Sequence, residues 1–136
     1  MEIDEITIVT TNAPEKPHVN ELLKWFGSSL GLFSLRDKNS SCFRVFIVLI
    51  KDARNDGEGL TSNEISNLTD LSRGTVVHHL NKLMSSGIVL NVENKYLLRE
   101  KRLEELMEEV EKDLIQTMDV LKDVGSELDE MLGLEE

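Results

Sequence analysis

Two adjacent histidines, His78 and His79, are the residues of this 136-residue chain whose type most directly suggests chemistry. A pair of imidazoles could ligate a metal ion or serve in acid–base catalysis. Consecutive residues of a helix point about 100° apart, so these two rings cannot readily chelate one ion. A catalytic pair would also need a nucleophile or a carboxylate at a matched spacing, and the sequence contains none. We therefore expect no catalytic residue, no metal site and no cofactor.

The segment that holds the histidines has the pattern of a capped amphipathic helix. Ser72 is placed to cap its first turn, and Gly87 is placed to end it. Its apolar positions at i, i+4 and i+7 are Val76, Leu80 and Leu83. When these three face a core, His78 points outward and His79 lies at the edge of the core. We interpret His79 as a partly buried structural residue and His78 as part of a contact surface.

Two further helices are predicted before this one, and a hairpin after it. The segment "RDKNSSCFRVFIVLIKDARNDGEG" predicts a helix that Ser40 or Ser41 caps. In "LTSNEISNL", Thr61 and Glu64 have the spacing of a capping box. The predicted buried positions of that helix are Ile65 and Leu68. The segments "IVLNV", "ENK" and "YLLR" predict a short hairpin. Two helices joined by a tight turn and followed by a hairpin indicate a helix-turn-helix with a wing.

The N-terminal segment, residues 1–35, is predicted to hold an arm and a helix. The β-branched run "ITIVT" predicts either an edge strand or an ordered arm. The stretch "NAPEKP" predicts a turn or linker, because Pro14 and Pro17 block continuation of a helix. A helix is predicted from His18 onward.

The C-terminal segment, residues 101–136, predicts one long helix with a heptad seam. The seam advances in alternating steps of four and three residues, at Leu103, Met107, Val110, Leu114, Thr117, Leu121, Val124, Leu128 and Met131. Eight of these nine positions are apolar, so we predict a coiled-coil-like dimerisation helix. At about 1.5 Å per residue it would be about 45 Å long. The alternative is a helix that packs only within its own chain.

The acidic charge is concentrated in that C-terminal helix. The chain has a net charge of −11, and residues 103–136 contain 13 Asp/Glu against 2 Lys/Arg. Residues 36–102, which include the predicted winged-helix segment, residues 36–100, contain 11 Lys/Arg against 8 Asp/Glu and are mildly basic. Because carboxylates repel phosphate, we expect the C-terminal helix to lie far from any nucleic acid.

Composition also limits the cellular compartment. The single cysteine, Cys42, excludes an intrachain disulfide and a cysteine-cluster metal site within one chain. No apolar run reaches the roughly 18 residues that a membrane span needs. The start, "MEIDEITIVTTN", lacks the basic region of a signal peptide. We expect an intracellular, cytoplasmic protein with no membrane partner.

The motif "LSRGTVVHHLNKLMSSGIV" resembles the recognition helix and the start of the wing in winged-helix transcription regulators of the ArsR and MarR families. The likeness is closest to archaeal members with a long C-terminal helix, and it covers about Leu60 to Arg99. It implies a mainly α fold with a small β-hairpin wing, and a homodimer that binds double-stranded DNA sequence-specifically. Repression is the commoner mode of such regulators. The cysteine pairs of metal-sensing members are absent, so metal sensing is not implied, and no effector ligand is indicated.

Candidate DNA contacts lie on the recognition helix, on the start of the preceding helix and in the wing. Arg73 suits a guanine edge or a phosphate, and Asn81 suits an adenine edge or solvent, whereas Thr75 and Lys82 suit phosphates. The complete predicted set is Thr61, Ser62, Arg73, Gly74, Thr75, Val77, His78, Asn81, Lys82, Lys95 and Arg99. The alternative function is a protein-docking module in a transcription-related assembly. A recognition-helix face without basic potential, or with acidic potential, would favour that function.

Overall fold

The computed structural model describes residues 4–9, 12–15, 18–33 and 40–134. Within them it contains helices α1 (Val19–Ser29), α2 (Ser41–Arg54), α3 (Ser62–Thr69), α4 (Arg73–Ser85) and α5 (Leu103–Met131), with strands β1 (Val89–Val92) and β2 (Lys95–Leu98) between α4 and α5. The predicted mainly α fold with a hairpin wing and a long C-terminal helix is confirmed. Two predicted features, Pro17 in the linker and the segment boundary after residue 35, lie outside the described residues.

Helix α2 is the centre of the core. Its Val45, Phe46 and Leu49 are fully buried, and α2 contacts α3, α4 and β2. The Phe46 ring stacks with Phe26 of α1 at 6.5 Å between ring centroids. The surrounding elements complete the core with Leu32, Ile65, Val76, Leu80, Leu83, Ile88, Val89, Leu98, Leu106 and Val110. The apolar periodicity of the sequence therefore corresponds to burial around one central helix.

Short-range hydrogen bonds fix the starts of α3 and α4. The Thr61 hydroxyl oxygen accepts the Glu64 backbone N–H at 3.1 Å, and the Glu64 carboxylate accepts the Thr61 backbone N–H at 3.1 Å. The predicted capping box is therefore confirmed. Asp70 ends α3 in a left-handed conformation with a φ of 59°. Two residues later, the Ser72 hydroxyl oxygen accepts the Thr75 backbone N–H at 3.2 Å and caps α4, as predicted.

The buried face of α3 differs from the predicted one. Ile65 is fully buried, but Leu68 is 63% exposed, so its prediction as a buried residue is wrong. Thr69, four residues after Ile65, takes the second buried position instead. Its hydroxyl donates to the Ile65 carbonyl at 2.7 Å, and this bond satisfies the polar group inside the core.

The wing is a compact hairpin with a two-residue turn. Strands β1 and β2 pair antiparallel with Val92 opposite Lys95. Glu93 and Asn94 form the turn with φ values of 52° and 67°, the left-handed pair that a type I′ turn requires. Leu60 joins the hairpin through a pair of backbone hydrogen bonds with Tyr96, at 2.7 and 2.9 Å. The chain segment before α3 therefore holds the wing in place.

The N-terminal residues 4–9 form an ordered arm that contains no strand. The backbone N–H groups of Asp4 and Glu5 donate to the Ser85 carbonyl at 2.9 and 3.2 Å, and the Val9 N–H donates to the Ser29 carbonyl at 2.8 Å. The arm therefore runs beside the end of α4. Of the two predicted alternatives, an edge strand and an ordered arm, the structure has the arm.

Helix α5 has a proximal half, residues 103–116, that packs on the core, and a distal half, residues 117–131, that does not. Val110 is buried, and Leu103, Met107 and Leu114 are packed against the core of the same chain. The exposed seam positions are Thr117, Leu121, Val124, Leu128 and Met131. The proximal half therefore helps to close the core of its own chain, and the role of the nine seam positions in dimerisation stays a prediction.

A buried ion pair joins the end of the wing to the proximal half of α5. The Arg99 guanidinium donates to both oxygens of Asp113, at 2.5 and 3.3 Å, and lies 3.6 Å from a Glu109 oxygen. The Arg99 and Asp113 side chains are only 10% and 8% exposed. The hydrogen bond with Asp113 raises the pKa of Arg99 above its usual value, so the guanidinium stays charged.

We expect Asp113→Ala to lower the free energy of unfolding by about 3 kcal/mol, because it leaves the covered Arg99 charge without its closest partner. Urea denaturation measures this loss. The matched control is Lys112→Ala, which removes the neighbouring, exposed Lys112–Glu109 pair and should leave the midpoint unchanged. Equal effects of the two substitutions would contradict the role given to the Arg99–Asp113 pair.

Candidate nucleic-acid interface

The outer face of α4 presents the residues that the sequence predicts as DNA contacts. Val76, Leu80 and Leu83 hold the opposite face in the core. The exposed residues are Arg73, Gly74, His78, Asn81 and Lys82, and the half-buried ones are Thr75 and Val77. A Cβ added at Gly74 would meet no atom within 4 Å. The first two turns of α4 are therefore open to a large partner.

The start of α3 lies beside the start of α4. Arg73 Nε donates a hydrogen bond to Ser62 Oγ at 3.3 Å, so these two predicted contacts belong to one surface. The capping box occupies the N–H groups of Thr61 and Glu64. The first-turn N–H groups of Ser62 and Asn63 have no acceptor within a helix and can donate to an anion. Asn63 is not among the contacts predicted from the sequence, although its position within the capping box identifies this N–H.

The two histidines have different environments. His79 is half-buried, and its Nε2 lies 2.8 Å from the Ser41 hydroxyl of α2, which ties α4 to α2. His78 is exposed on the outer face. Their ring centroids are 5.4 Å apart with an interplanar angle of 61°. Within the described ranges, no group of three or more His, Cys, Asp or Glu side chains could hold a metal ion.

Of the two predicted contacts in or beside the wing, one is exposed and the other is covered. Lys95, the first residue of β2, is exposed beside the turn. Arg99 is instead covered and bound to Asp113, so its predicted place on the DNA-binding surface is corrected. The physical reason is long-range: a carboxylate fourteen residues later in the chain lies within hydrogen-bonding distance of the guanidinium.

A cleft separates the N-terminal arm from the second half of α4. Its volume is about 340 Å³, and Glu5 and Thr7 of the arm line it opposite His78, Asn81 and Lys82. The arm thus borders the outer face of α4 on one side. This neighbour could not be predicted from the sequence, because nothing in the local pattern of residues 4–9 indicates which helix the arm contacts.

The charge of this surface is basic but sparse. Its cations are Arg73, Lys82 and Lys95, and none of the three forms an ion pair with another described residue. Exposed carboxylates also occur nearby, at Asp70 in the turn and Glu93 in the wing. Three unpaired cations per chain indicate a modest attraction for phosphate.

A helix, a tight turn and a second helix with an open outer face, followed by a paired hairpin, define a winged helix-turn-helix protein. Residues 54–90 match the family described as bacterial regulatory protein, arsR family, and the match includes α3, α4 and the start of β1. Residues 54–90 therefore match an ArsR-family helix-turn-helix, a type of DNA-binding domain found in transcription regulators, and the resemblance seen in this part of the sequence is confirmed. The chain matched no curated protein and no solved structure. Among the described helices, none is long and apolar enough to cross a membrane.

The two histidines should respond differently to substitution. We expect His79→Ala to destabilise the fold by about 1 kcal/mol, because it removes the hydrogen bond with Ser41. His78→Ala should leave the thermal midpoint unchanged and weaken DNA binding by about 0.5–1.5 kcal/mol. Thermal denaturation and duplex titration measure the two effects. A reversed pattern would mean that the assigned orientation of α4 is incorrect.

Proposed function

We propose that this protein is a sequence-specific transcription regulator that acts as a homodimer and represses by occupying its operator. The observation that carries the proposal is the open face of α4, where Arg73, Gly74, His78, Asn81 and Lys82 are exposed together within the matched helix-turn-helix. The opposite face of α4 is locked into the core, so this face is presented at a fixed angle.

The proposed contacts follow from the dimensions of DNA. The major groove is about 12 Å wide and accepts one helix, so α4 enters it with its first turns toward the base edges. Arg73 then reaches a guanine, and the N–H groups of Ser62 and Asn63 meet the flanking phosphate. Lys95 in the wing reaches the neighbouring backbone. Arg73 is therefore the base contact, and the other groups position the protein on the phosphate backbone.

Two observations support a homodimer. Among the described residues, the candidate interface of one protomer has only three unpaired cations, so a single copy would bind DNA weakly. The distal half of α5 exposes a row of apolar side chains, which a second chain could cover: Met118, Val120, Leu121, Val124, Leu128 and Met131. A dimer would place two α4 helices in successive major grooves, with half-sites about one helical turn, or about 10 base pairs, apart.

Arg73→Ala should cost about 1–3 kcal/mol of binding free energy and relax discrimination between operator variants, if Arg73 reads a base. The operator is first obtained by selection from a random duplex pool with the intact protein. Lys82→Ala is the matched control: it should weaken all duplexes equally, because a phosphate contact carries no sequence information. Arg73→Ala with unchanged affinity for every duplex would contradict the proposed role of α4.

Binding should be salt-sensitive with a shallow slope. With Arg73 on a base, Lys82 and Lys95 give about four phosphate contacts per dimer, so log K against log salt should have a slope of roughly −4. Lys95→Ala should reduce this slope by about two units and leave sequence preference intact, because each dimer loses two contacts. Titration of labelled duplexes across a salt series measures both values. A slope near zero for every duplex would reject DNA binding and favour the protein-docking alternative.

A further inference from the structure

An apolar groove lies away from the candidate DNA interface. It has a volume of about 590 Å³ between α1, the outer face of α2, the end of α3 and the start of α5. Its floor and walls include Val19, Leu23, Phe43, Ile47, Val48 and Leu68. No residue of α4 or of the wing lines it. Val19 and Leu68 are 72% and 63% exposed, so a large apolar area faces solvent in the single chain.

The rim of this groove is basic. Arg44, Lys51 and Arg54 line it, and no carboxylate of the described ranges does. Lys24 adds a fourth cation nearby, with its Nζ 5.4 Å from the centre of the Phe43 ring. Among the described residues, none of these four side chains lies within 4 Å of a carboxylate oxygen. An occupant with an apolar face and acidic flanks would therefore complement the groove in both respects.

The distal half of α5 has that composition. Besides its exposed apolar row, it carries five carboxylates against the single cation Lys122: Asp119, Asp123, Glu127, Asp129 and Glu130. A helix of this length, about 22 Å at about 1.5 Å per residue, is only marginally stable without a covering partner. The outer face of α2 from Arg44 to Arg54 is about 15 Å long by the same rise, so it can cover about two thirds of that helix.

We propose that the distal half of α5 from a second copy of this chain occupies the groove, so that the two protomers exchange their C-terminal helices. The proposal rests on the proposed homodimer and specifies its geometry. Leu103, the first residue of α5, lines the groove. An antiparallel crossing of the two α5 helices therefore brings the distal half of each one past the proximal half of the other, toward its groove.

The alternative is a parallel coiled coil of the two α5 helices. That arrangement packs each distal half against the distal half of the other chain. It also leaves the basic rim and the apolar walls of the groove without a partner. The exchanged arrangement pairs each acidic flank with a basic rim and covers both apolar surfaces at once.

Cysteine cross-linking distinguishes the two geometries. Val19→Cys is combined in turn with Leu121→Cys, Val124→Cys and Leu128→Cys, all at exposed positions, while the native Cys42 is 2% exposed and stays in place. We expect mild oxidation to give covalent dimers with at least one combination, and none with any single variant. A covalent dimer from Leu128→Cys alone indicates a parallel coiled coil and overturns the exchange while leaving the homodimer intact. A sedimenting dimer that no combination cross-links also overturns it.

Charge reversal provides an independent test of the rim. We expect the double variant Arg44→Glu, Lys51→Glu to weaken the dimer at least about tenfold by sedimentation. Adding Asp123→Lys and Glu127→Lys should restore it, whereas Lys95→Glu, a reversal outside the groove, should leave dimer affinity unchanged. Unaltered affinity of the rim variant overturns the proposal. A monomeric wild-type chain overturns both the exchange and the homodimer, and the salt slope then still decides whether the chain binds DNA.

Discussion

The burial of one face of α4 against α2 is the constraint on which the whole interface depends. Val76, Leu80 and Leu83 are fully buried, so the opposite face of α4 cannot rotate away from solvent without opening the core. The hydrogen bond between His79 and Ser41 fixes the same helix at its flank. The outer face is thus positioned by apolar packing and needs no partner to hold its angle. A recognition surface on such a helix is preorganised for binding.

Charge is separated along the molecule in a way that suits two different partners. The outer face of α4 and the wing present unpaired cations, while the distal half of α5 exposes five carboxylates against one cation. This separation explains how a chain with a net charge of −11 can contain a surface for phosphate. It also means that the acidic helix and the basic groove are available to each other rather than to nucleic acid.

Features set by residues close in sequence were the ones that could be predicted. The capping box at Thr61 needs a partner three residues away, and the apolar seam of α5 needs only its own periodicity. The exposure of Leu68, the covering of Arg99 and the contact between Ser41 and His79 depend on residues from other elements, the last pair being 38 positions apart. A single sequence does not indicate which of several compatible partners a side chain meets, so these features required the tertiary structure.

The ion pair between Arg99 and Asp113 couples the wing to the proximal half of α5, so that the two elements move as one rigid unit. Because both charges are covered, the two elements cannot slide past each other without separating a desolvated pair. In a homodimer, a change in the crossing angle of the two α5 helices would therefore swing both wings by the same angle. The crossing angle of the two α5 helices would then determine the distance between the two wings. That distance would in turn determine the curvature of a bound duplex.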